Sequence, residues 1–209
     1  MRFPLKRLLH RSWYSRVQVL SDLHLEIGSQ YGSFTFPATA PYLLLAGDVG
    51  RLVDYDGYLG FLAAQTARYD AVLLVLGNHE FYQLSEAHAR DAAWLREQVA
   101  GQQACDDGRR VLVATHHAPC VRGTSSPQHA DSPWSSAFAT EMLAEGDWAP
   151  VRTWVFGHTH YSTDMVRGGV RVVANQRGYV FPPKPGAVGS TMQESAVSGG
   201  FDPGKVVIV

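Results

Sequence analysis

The amino-acid sequence predicts a one-domain α/β fold, because apolar runs typical of buried strands alternate with segments typical of helices. The clearest strands are Tyr42 to Ala46 and Ala71 to Leu76, and a helix-like segment from Tyr58 to Arg68 lies between them. A second observation is that five of the strand-like runs are followed at once by Asp, Asn or His. Ligands bind at the carboxyl ends of strands in open α/β sheets, so these polar residues also predict the location of a site.

The other elements follow from the same patterns. Apolar or β-branched runs predict strands at Val17 to Leu20, Val111 to Ala114, Thr153 to Phe156, Val170 to Ala174 and Val206 to Val209. Helices are predicted at Ser85 to Ala100, where Ser85 can cap the first turn and Gly101 can end the last one, and at Ser135 to Ala144. Clusters of Gly, Pro, Ser and Thr predict loops at 28–41 and 181–200.

Composition limits the class of protein and its partners. With 209 residues, of which 45% are hydrophobic and 18% charged, the chain can form one domain with a substantial core. The net charge of -1 does not favour nucleic acid as a partner. The apolar runs are far shorter than the ~20 residues of a membrane span, so none is expected. Cys105 and Cys120 form no disulfide framework, which fits a reducing compartment and predicts a cytoplasmic protein.

Residues 1–16 are expected to be a basic N-terminal extension, followed by the domain at 17–209. The extension has no acidic residue, and its basic residues are Arg2, Lys6, Arg7, Arg11 and Arg16. It lacks the apolar core and the small-residue cleavage site of a secretory signal. A surface extension or a misplaced start codon is the favoured interpretation, and an organelle presequence is the alternative.

Five short motifs carry the chemistry. They read Asp22-Leu23-His24, Gly47-Asp48, Gly77-Asn78-His79-Glu80, His116-His117 and Gly157-His158-Thr159-His160. Oxygen and imidazole ligands of this kind suit hard to borderline divalent metals, and their number suggests two ions. Residues two apart in extended backbone project to one side, so Asp22 with His24, and His158 with His160, are each expected to face one point. A lone Asp-x-His or Gly-Asp is close to chance, and Gly-His-x-His is moderately specific, but all five motifs in order predict a metal site.

In this order the motifs resemble those of the calcineurin-like metallophosphoesterase superfamily. The resemblance runs from about residue 17 to the C-terminus and includes segments around the motifs, namely 41–48, 78–82, 115–119, 136–139 and 175–179. It implies a four-layer αββα sandwich of two mixed sheets flanked by helices. It also implies a hydrolase of phosphomonoester or phosphodiester bonds that uses two divalent ions, with Mn, Fe, Zn, Co and Ni all compatible with the ligands.

The resemblance assigns a role to each residue. The first ion would be held by Asp22, His24 and His160, the second by Asn78, His116 and His158, and both by the bridging Asp48. A hydroxide bridging the ions would be the nucleophile, so Asp48 also counts as catalytic, and His79 would be the general acid. Candidates for contacting the substrate are His117, Tyr82, Arg177 and Arg51, the arginines because a guanidinium can bind phosphate oxygens in a fork.

Two features depart from the family pattern. Protein Ser/Thr phosphatases of the superfamily carry Gly-Asp-x-Val-Asp-Arg-Gly, whereas Asp48 is followed here by Val49-Gly50-Arg51, which disfavours that activity. The stretch between Glu80 and Val111 is also much shorter than in similar bacterial members, so part of the central region is missing. This gap predicts a wider pocket and an exposed sheet edge that favours a homodimer.

The leading hypothesis is a metal-dependent phosphoesterase acting on a small-molecule or nucleotide-like phosphoester. The main alternative is a binding or scaffold protein of the same fold whose catalysis has decayed. Such proteins should lose ligand residues, and all seven are present, although the gap keeps this alternative open. A metal-storage or sensor protein is a third hypothesis, but its cysteines should lie nearer the histidines. Nucleotides, cyclic nucleotides, phospholipid headgroups and nucleic-acid ends all stay open as substrates.

Overall fold

The computed structural model describes residues 15–81, 87–103, 110–133, 135–144, 148–181, 193–194 and 200–209. The strands in this part of the chain are β1 (Arg16–Leu20), β2 (Tyr42–Ala46), β3 (Ala71–Val75), β4 (Val111–Ala114), β5 (Val151–Phe156), β6 (Thr163–Arg167), β7 (Val170–Ala174), β8 (Val180–Phe181), β9 (Gln193–Glu194) and β10 (Val206–Ile208). The α-helices are α1 (Tyr55–Thr66), α2 (Asn78–Phe81) and α3 (Ala87–Gln103).

The two main sheets are both mixed. The first has the strand order β10-β1-β2-β3, in which β1, β2 and β3 are parallel and β10 is antiparallel to β1. The second has the order β4-β5-β7-β6, in which β4, β5 and β7 are parallel and β6 forms an antiparallel hairpin with β7. A separate two-stranded ribbon pairs β8 with β9. Five of the six described strands that run parallel to a neighbour end just before one of the five sequence motifs.

Three layers of apolar side chains hold the sheets and helices together. Alternation along β2 shows the arrangement, because Leu43 and Leu45 face one side of the sheet and Leu44 and Ala46 face the other. The outer layer of the first sheet packs against Tyr58 and Phe61 of α1. The middle layer joins the two sheets through Val19, Leu44, Val155 and Val173, and the outer layer of the second sheet includes Trp154, Phe156 and, from α3, Ala92 and Val99. The predicted αββα sandwich is confirmed.

The two sheets are also joined by backbone hydrogen bonds at their carboxyl ends. Ser21, just after β1, donates to the carbonyl of Asn175, just after β7, over 3.1 Å, and the Arg177 N–H donates back to Ser21 over 3.2 Å. The Asn175 side chain donates to the carbonyls of Val19 and Asp202, each over 2.7 Å. These bonds fix the relative position of the strand ends that carry the ligand motifs.

Several predicted elements differ from those observed. The helix predicted at Ser135 to Ala144 is wrong, because only a single 3₁₀ turn forms, at Ser135–Ala137. The following residues pair with the loop after β4 instead: Ala118 donates to the Phe138 carbonyl over 3.1 Å, and Thr140 donates to the Ala118 carbonyl over 3.0 Å. Gly101 does not end α3, which runs on to Gln103, and the predicted cap Ser85 lies outside the described residues. Strand β6 was not predicted.

The short connection between the two sheets leaves β3 at an edge. Between α2 and β4, the described residues form α3 alone. In the described part of the chain, β3 has a strand partner on one side only, and Leu73 and Leu74 are 49% and 37% exposed. The predicted exposed sheet edge is therefore present. None of the helices in the described ranges has both the length and the hydropathy that crossing a membrane requires.

Candidate metal centre

The five motifs lie where five strands end. Asp22 follows β1, Asp48 follows β2, Asn78 follows β3, His116 follows β4 and His158 follows β5. Because the first three strands belong to one sheet and the last two to the other, the motifs meet across the joint between the sheets. The seven side chains that the family resemblance marks as ligands therefore come together in one place.

One cluster contains Asp22, His24 and His160, whose ligand atoms lie within 4.8 Å of one another. The Nε2 atoms of His24 and His160 are 2.9 Å apart, and His160 Nε2 is 3.5 Å from Asp22 Oδ1. Asp22 and His24 are fully buried. Two imidazoles and a carboxylate that converge in this way can bind one divalent cation.

A second cluster contains Asp48, His116 and His158, again with ligand atoms within 4.8 Å of one another. Asn78 joins it, because its Oδ1 is 3.0 Å from His116 Nε2. Asp48 Oδ2 lies 3.3 Å from His116 Nε2 and 4.0 Å from His24 Nε2. The Asp48 carboxylate therefore stands between a histidine of the second cluster and a histidine of the first.

The backbone of the ligand motifs is in an unusual conformation. Positive φ angles, between 46° and 73°, occur at Asp22, His24, Asp48, His158 and His160. The extended backbone predicted for Asp22 with His24 and for His158 with His160 is therefore wrong, although the side chains of each pair do converge. Left-handed residues other than Gly cost of order 1–3 kcal/mol each and concentrate at functional sites. The surrounding structure must supply this energy.

Glu80 supplies part of that support. Its buried carboxylate accepts hydrogen bonds from the backbone N–H groups of Asp48 (3.0 Å), Val49 (2.8 Å) and Gly77 (2.7 Å), and also from the Tyr58 hydroxyl (3.2 Å). It thereby ties the loop after β2 to the loop after β3. The sequence contained Glu80 within a motif, but no pattern indicated this role.

Glycine is required where these two loops touch. A Cβ atom at Gly77 would collide with the side chain and backbone N of Asp48, and one at Gly47 would collide with the His116 ring. Gly47 also has a φ of 90°, which favours glycine. The glycines that precede Asp48 and Asn78 therefore let the Asp48 carboxylate and the His116 ring approach each other.

The tautomers of two histidines are fixed by groups behind them. His116 Nδ1 lies 3.1 Å from the Ala46 carbonyl, and His24 Nδ1 lies 3.3 Å from Glu26 Oε1. Carbonyl and ionised carboxylate oxygens only accept hydrogen bonds, so Nδ1 carries the proton in each ring. The Nε2 atoms of His24 and His116 then face the two clusters, which is the usual arrangement behind metal-binding imidazoles.

His79 lies beside the first cluster and contacts two carboxylates, those of Asp48 and Glu26. Its backbone N–H donates to Asp48 Oδ1 over 2.8 Å, and its Nδ1 lies 3.0 Å from Glu26 Oε1. The hydrogen bond to Glu26 raises the pKa of His79. Burial alone would raise the pKa of Glu26, but its hydrogen bonds with His24 and His79 lower the pKa of this carboxyl to about 2. The Tyr179 hydroxyl lies 3.3 Å from His79 Nε2.

Glu26 and Tyr179 were both missed in the sequence. Glu26 extends the first motif to Asp-x-His-x-Glu, and its spacing of two residues from His24 was the available signal. The Tyr179 ring lies within 4.4 Å of the His24 ring and 4.6 Å of the His160 ring, measured between centroids. Its distance from the motifs along the chain gave no such signal.

The ionisation of the clusters suits cation binding. Burial lowers the pKa of His158 to about 3 and that of His160 to about 4, so both imidazoles are neutral near pH 7 and can act as ligands. Burial opposes ionisation of Asp48, but the hydrogen bond with His116 lowers the pKa of Asp48 well below its usual range. The same bond raises the pKa of His116 to about 9, against burial. A divalent cation can replace the proton that these two residues share.

A cavity of about 680 Å³ opens directly onto the centre. This volume is in the range of sites for small organic ligands. One wall comprises Asp48, Asn78, His79, His158, Thr159, His160 and Tyr179. The other wall comes from the loop after β4 and comprises Val121, Thr124, Ser125, His129, Ser132, Ser135, Phe138 and Ala139. His129 and Phe138 are exposed residues that sequence reasoning did not connect with the site.

The donor set thus fits divalent metal ions, and the fold around it can be compared with known proteins. The family model described as calcineurin-like phosphoesterase matches residues 9–162. The chain belongs to the calcineurin-like phosphoesterase family.

Individual relatives of this family member are distant. The uncharacterized protein L509 of Acanthamoeba polyphaga mimivirus is 31% identical over 75 residues, which is 33% of this chain and 26% of that protein. The chain thus spans about a quarter of this curated relative. Among solved structures, the phosphopantetheinyl hydrolase PptH from Mycobacterium tuberculosis superposes with a TM-score of 0.51 at 18% identity, covering 79% of this chain and 90% of that one. This similarity concerns the fold alone.

The described residues that the sequence predicts to contact a phosphoester, His117, Arg177 and Arg51, do not line the cavity beside the two clusters. The His117 ring lies near the His158 ring, with centroids 4.5 Å apart, but His117 lines a second cavity of about 320 Å³ between the ends of β3 and β4 and the middle of α3. Arg177 is buried, donates to the Leu23 carbonyl and to Gln30 Oε1, and lies over the Phe34 ring. Arg51 forms an ion pair with Asp54 on the surface. Tyr82 lies outside the described residues.

Proposed function

We propose that this protein hydrolyses phosphoester bonds with two divalent metal ions. The observation that carries the proposal is the pair of ligand clusters on either side of Asp48, which is the arrangement that a two-metal hydrolase needs. When bound, the two ions activate a water molecule for in-line attack at phosphorus and neutralise charge on the phosphoryl oxygens.

The ligands divide according to the clusters. We assign Asp22, His24 and His160 to the first ion, Asn78, His116 and His158 to the second, and Asp48 to both. The contacts behind these residues support the assignment. Glu26 and the Ala46 carbonyl orient two of the imidazoles, and Asp22 accepts the His158 backbone N–H over 2.9 Å. The loops are therefore held in the conformation that the ligands require.

His79 acts as the general acid. With Nδ1–H donated to Glu26, the other ring nitrogen, Nε2, is the one that transfers a proton to the leaving oxygen. The raised pKa keeps a larger fraction of His79 protonated near neutral pH. His79 also lines the 680 Å³ cavity, in which a substrate would reach it.

The substrate is expected to be a small-molecule or nucleotide-like phosphoester, and the metal one of Mn, Fe, Zn, Co or Ni. A cytoplasmic location, which would be reducing, agrees with Cys120 being a buried free thiol. Burial raises the pKa of this thiol to about 11, so it is protonated and unreactive near neutral pH.

The test is metal-dependent hydrolysis of p-nitrophenyl phosphate and bis-p-nitrophenyl phosphate by metal-free protein supplied with each candidate ion. Asp48→Ala should abolish turnover. His79→Ala should lower kcat by about 10²–10⁴-fold while both ions stay bound. Asp56→Ala, an exposed acid on α1, is the matched control and should keep full activity.

Each outcome has a clear meaning. Turnover that does not depend on added metal, or that survives Asp48→Ala, would contradict the proposal. Full metal binding without hydrolysis of any member of a phosphoester panel would instead favour the decayed binding protein.

A further inference from the structure

The cavity beside the metal centre contains an aromatic surface next to one ligand. The Phe138 ring stacks on the His158 ring with centroids 4.9 Å apart and an interplanar angle of 29°. Phe138 is nevertheless 41% exposed, and it lines the cavity together with the apolar side chains of Val121 and Ala139. Its ring is therefore held in place by His158 while leaving surface available to a bound molecule.

Phe138 and His79 lie beside different ligand clusters. His79 packs beside the first cluster, with its ring centroid 4.4 Å from that of His24. Phe138 packs beside the second cluster through His158. The centre thus has a proton donor on the side of one cluster and an aromatic surface on the side of the other, and both face the same cavity.

A phosphate diester matches this arrangement better than a monoester. In a diester, two organic groups extend from phosphorus, one leaving and one retained. In-line attack sends the leaving group toward the general acid, which leaves the retained group to occupy another part of the cavity. A monoester has one organic group, which would depart toward His79 and make no use of the aromatic surface.

We propose that the substrate is a phosphodiester whose leaving group departs toward His79 and whose retained group is planar and apolar, stacked along Phe138. This inference rests on the proposed function and adds a substrate class to it. Phe138 is then a specificity-determining residue. Offset stacking of a planar group on a phenyl ring is favourable beyond simple burial, and the rigid ring loses little conformational entropy when it binds.

The test compares two diesters that release the same chromophore, phenyl p-nitrophenyl phosphate and methyl p-nitrophenyl phosphate. Because the leaving group is constant, the ratio of their kcat/KM values reports the retained group alone. Wild type should prefer the phenyl diester by about three- to tenfold, the size of one aromatic stacking contact. Phe138→Ala should bring the ratio to about one, and Phe138→Tyr should keep the preference. Tyr55→Ala, another exposed aromatic residue, is the control and should also keep it.

A binding measurement separates failure of this inference from failure of the proposed function. Phenylphosphonate and methylphosphonate, which mimic the product that still carries the retained group and whose P–C bonds resist hydrolysis, are titrated into the metal-loaded protein by calorimetry. Tighter binding of the phenyl compound that is lost in Phe138→Ala would support the aromatic subsite even if no ester is turned over.

Three results would overturn the inference. One is a phenyl-to-methyl ratio near one in wild type, and another is a ratio that Phe138→Ala does not change. The third is a higher kcat/KM for p-nitrophenyl phosphate than for the phenyl diester, which would refute the assignment of a diester while leaving the phosphoesterase activity itself intact.

Discussion

Replacing Glu26 by Gln should separate proton transfer by His79 from metal binding. The substitution keeps the size of the side chain but removes the charge that accepts hydrogen bonds from His79 Nδ1 at 3.0 Å and from His24 Nδ1 at 3.3 Å. A hydrogen bond to a charged group contributes about 1.5–3 kcal/mol. If that energy orients and charges the acid, kcat should fall about 10- to 150-fold.

The pH profile gives the sign of the effect. The bond to Glu26 raises the pKa of His79, so the acid form is present below the raised pKa and is lost as pH rises through it. In Glu26→Gln the pKa of His79 should fall, and the alkaline limb of the kcat profile should move to lower pH. The assay is steady-state hydrolysis of bis-p-nitrophenyl phosphate from pH 5 to 10, with metal content measured in parallel.

The matched control is Glu97→Gln, the same change at an exposed position of α3, which should leave the profile unaltered. A Glu26→Gln variant with both ions bound, a wild-type kcat and an unmoved alkaline limb would refute the role given to this pair. Loss of one ion together with activity would show instead that Glu26 acts mainly through His24.

Three further predictions concern stability and association. Glu80→Ala should leave backbone N–H groups of the loops after β2 and β3 without their hydrogen-bond partner. The free energy of unfolding should fall by on the order of 3 kcal/mol and the Tm by roughly 6–12 °C. An unchanged melting curve would contradict the role of Glu80 in holding these loops together. The hydrogen bond with Arg171 lowers the pKa of Asp164 to about 2. The stabilisation from this ion pair is therefore present above the ordinary carboxyl pKa and is lost as pH falls through about 4 to 2. Asp164→Asn should flatten this acid dependence in chemical denaturation and, because the pair is partly exposed, should cost no more than about 1 kcal/mol at pH 7. Wild type should form a dimer through the uncharged β3 edge, which light scattering would detect. Leu74→Lys should make the protein a monomer, whereas Leu59→Lys, on α1, should not. A monomeric wild type would refute this association.

Much of the candidate site could be predicted because the positions of its side chains follow directly from strand ends. When parallel strands lie in one sheet, motifs such as Asp-x-His and Gly-Asp that follow each strand meet at the same edge. The alternation of strands and helices in the sequence predicts this parallel arrangement. The order of Asp22, Asp48 and His158 after β1, β2 and β5 needed no knowledge of packing. The left-handed conformation at Asp48 could not be predicted, because it depends on tertiary contacts such as the hydrogen bond from its N–H to Glu80.

The contacts behind and opposite the ligands required the tertiary structure. Tyr179 reaches His79 only because residues after β7 pair with those after β1, as in the bond from Ser21 to Asn175. Phe138 reaches His158 only because its segment pairs with Ala118 instead of forming the predicted helix. The helix prediction failed because local propensity was outweighed by this long-range pairing.

In the proposed function, seven side chains from five strand ends bind two metal ions on either side of Asp48. The metal content of purified, metal-reconstituted protein, measured by mass spectrometry for wild type and Asp48→Ala, tests this directly. Two ions per chain in wild type, with a clear loss of occupancy in Asp48→Ala, is the predicted result. One ion or none in wild type, or two ions retained without Asp48, would contradict the claim.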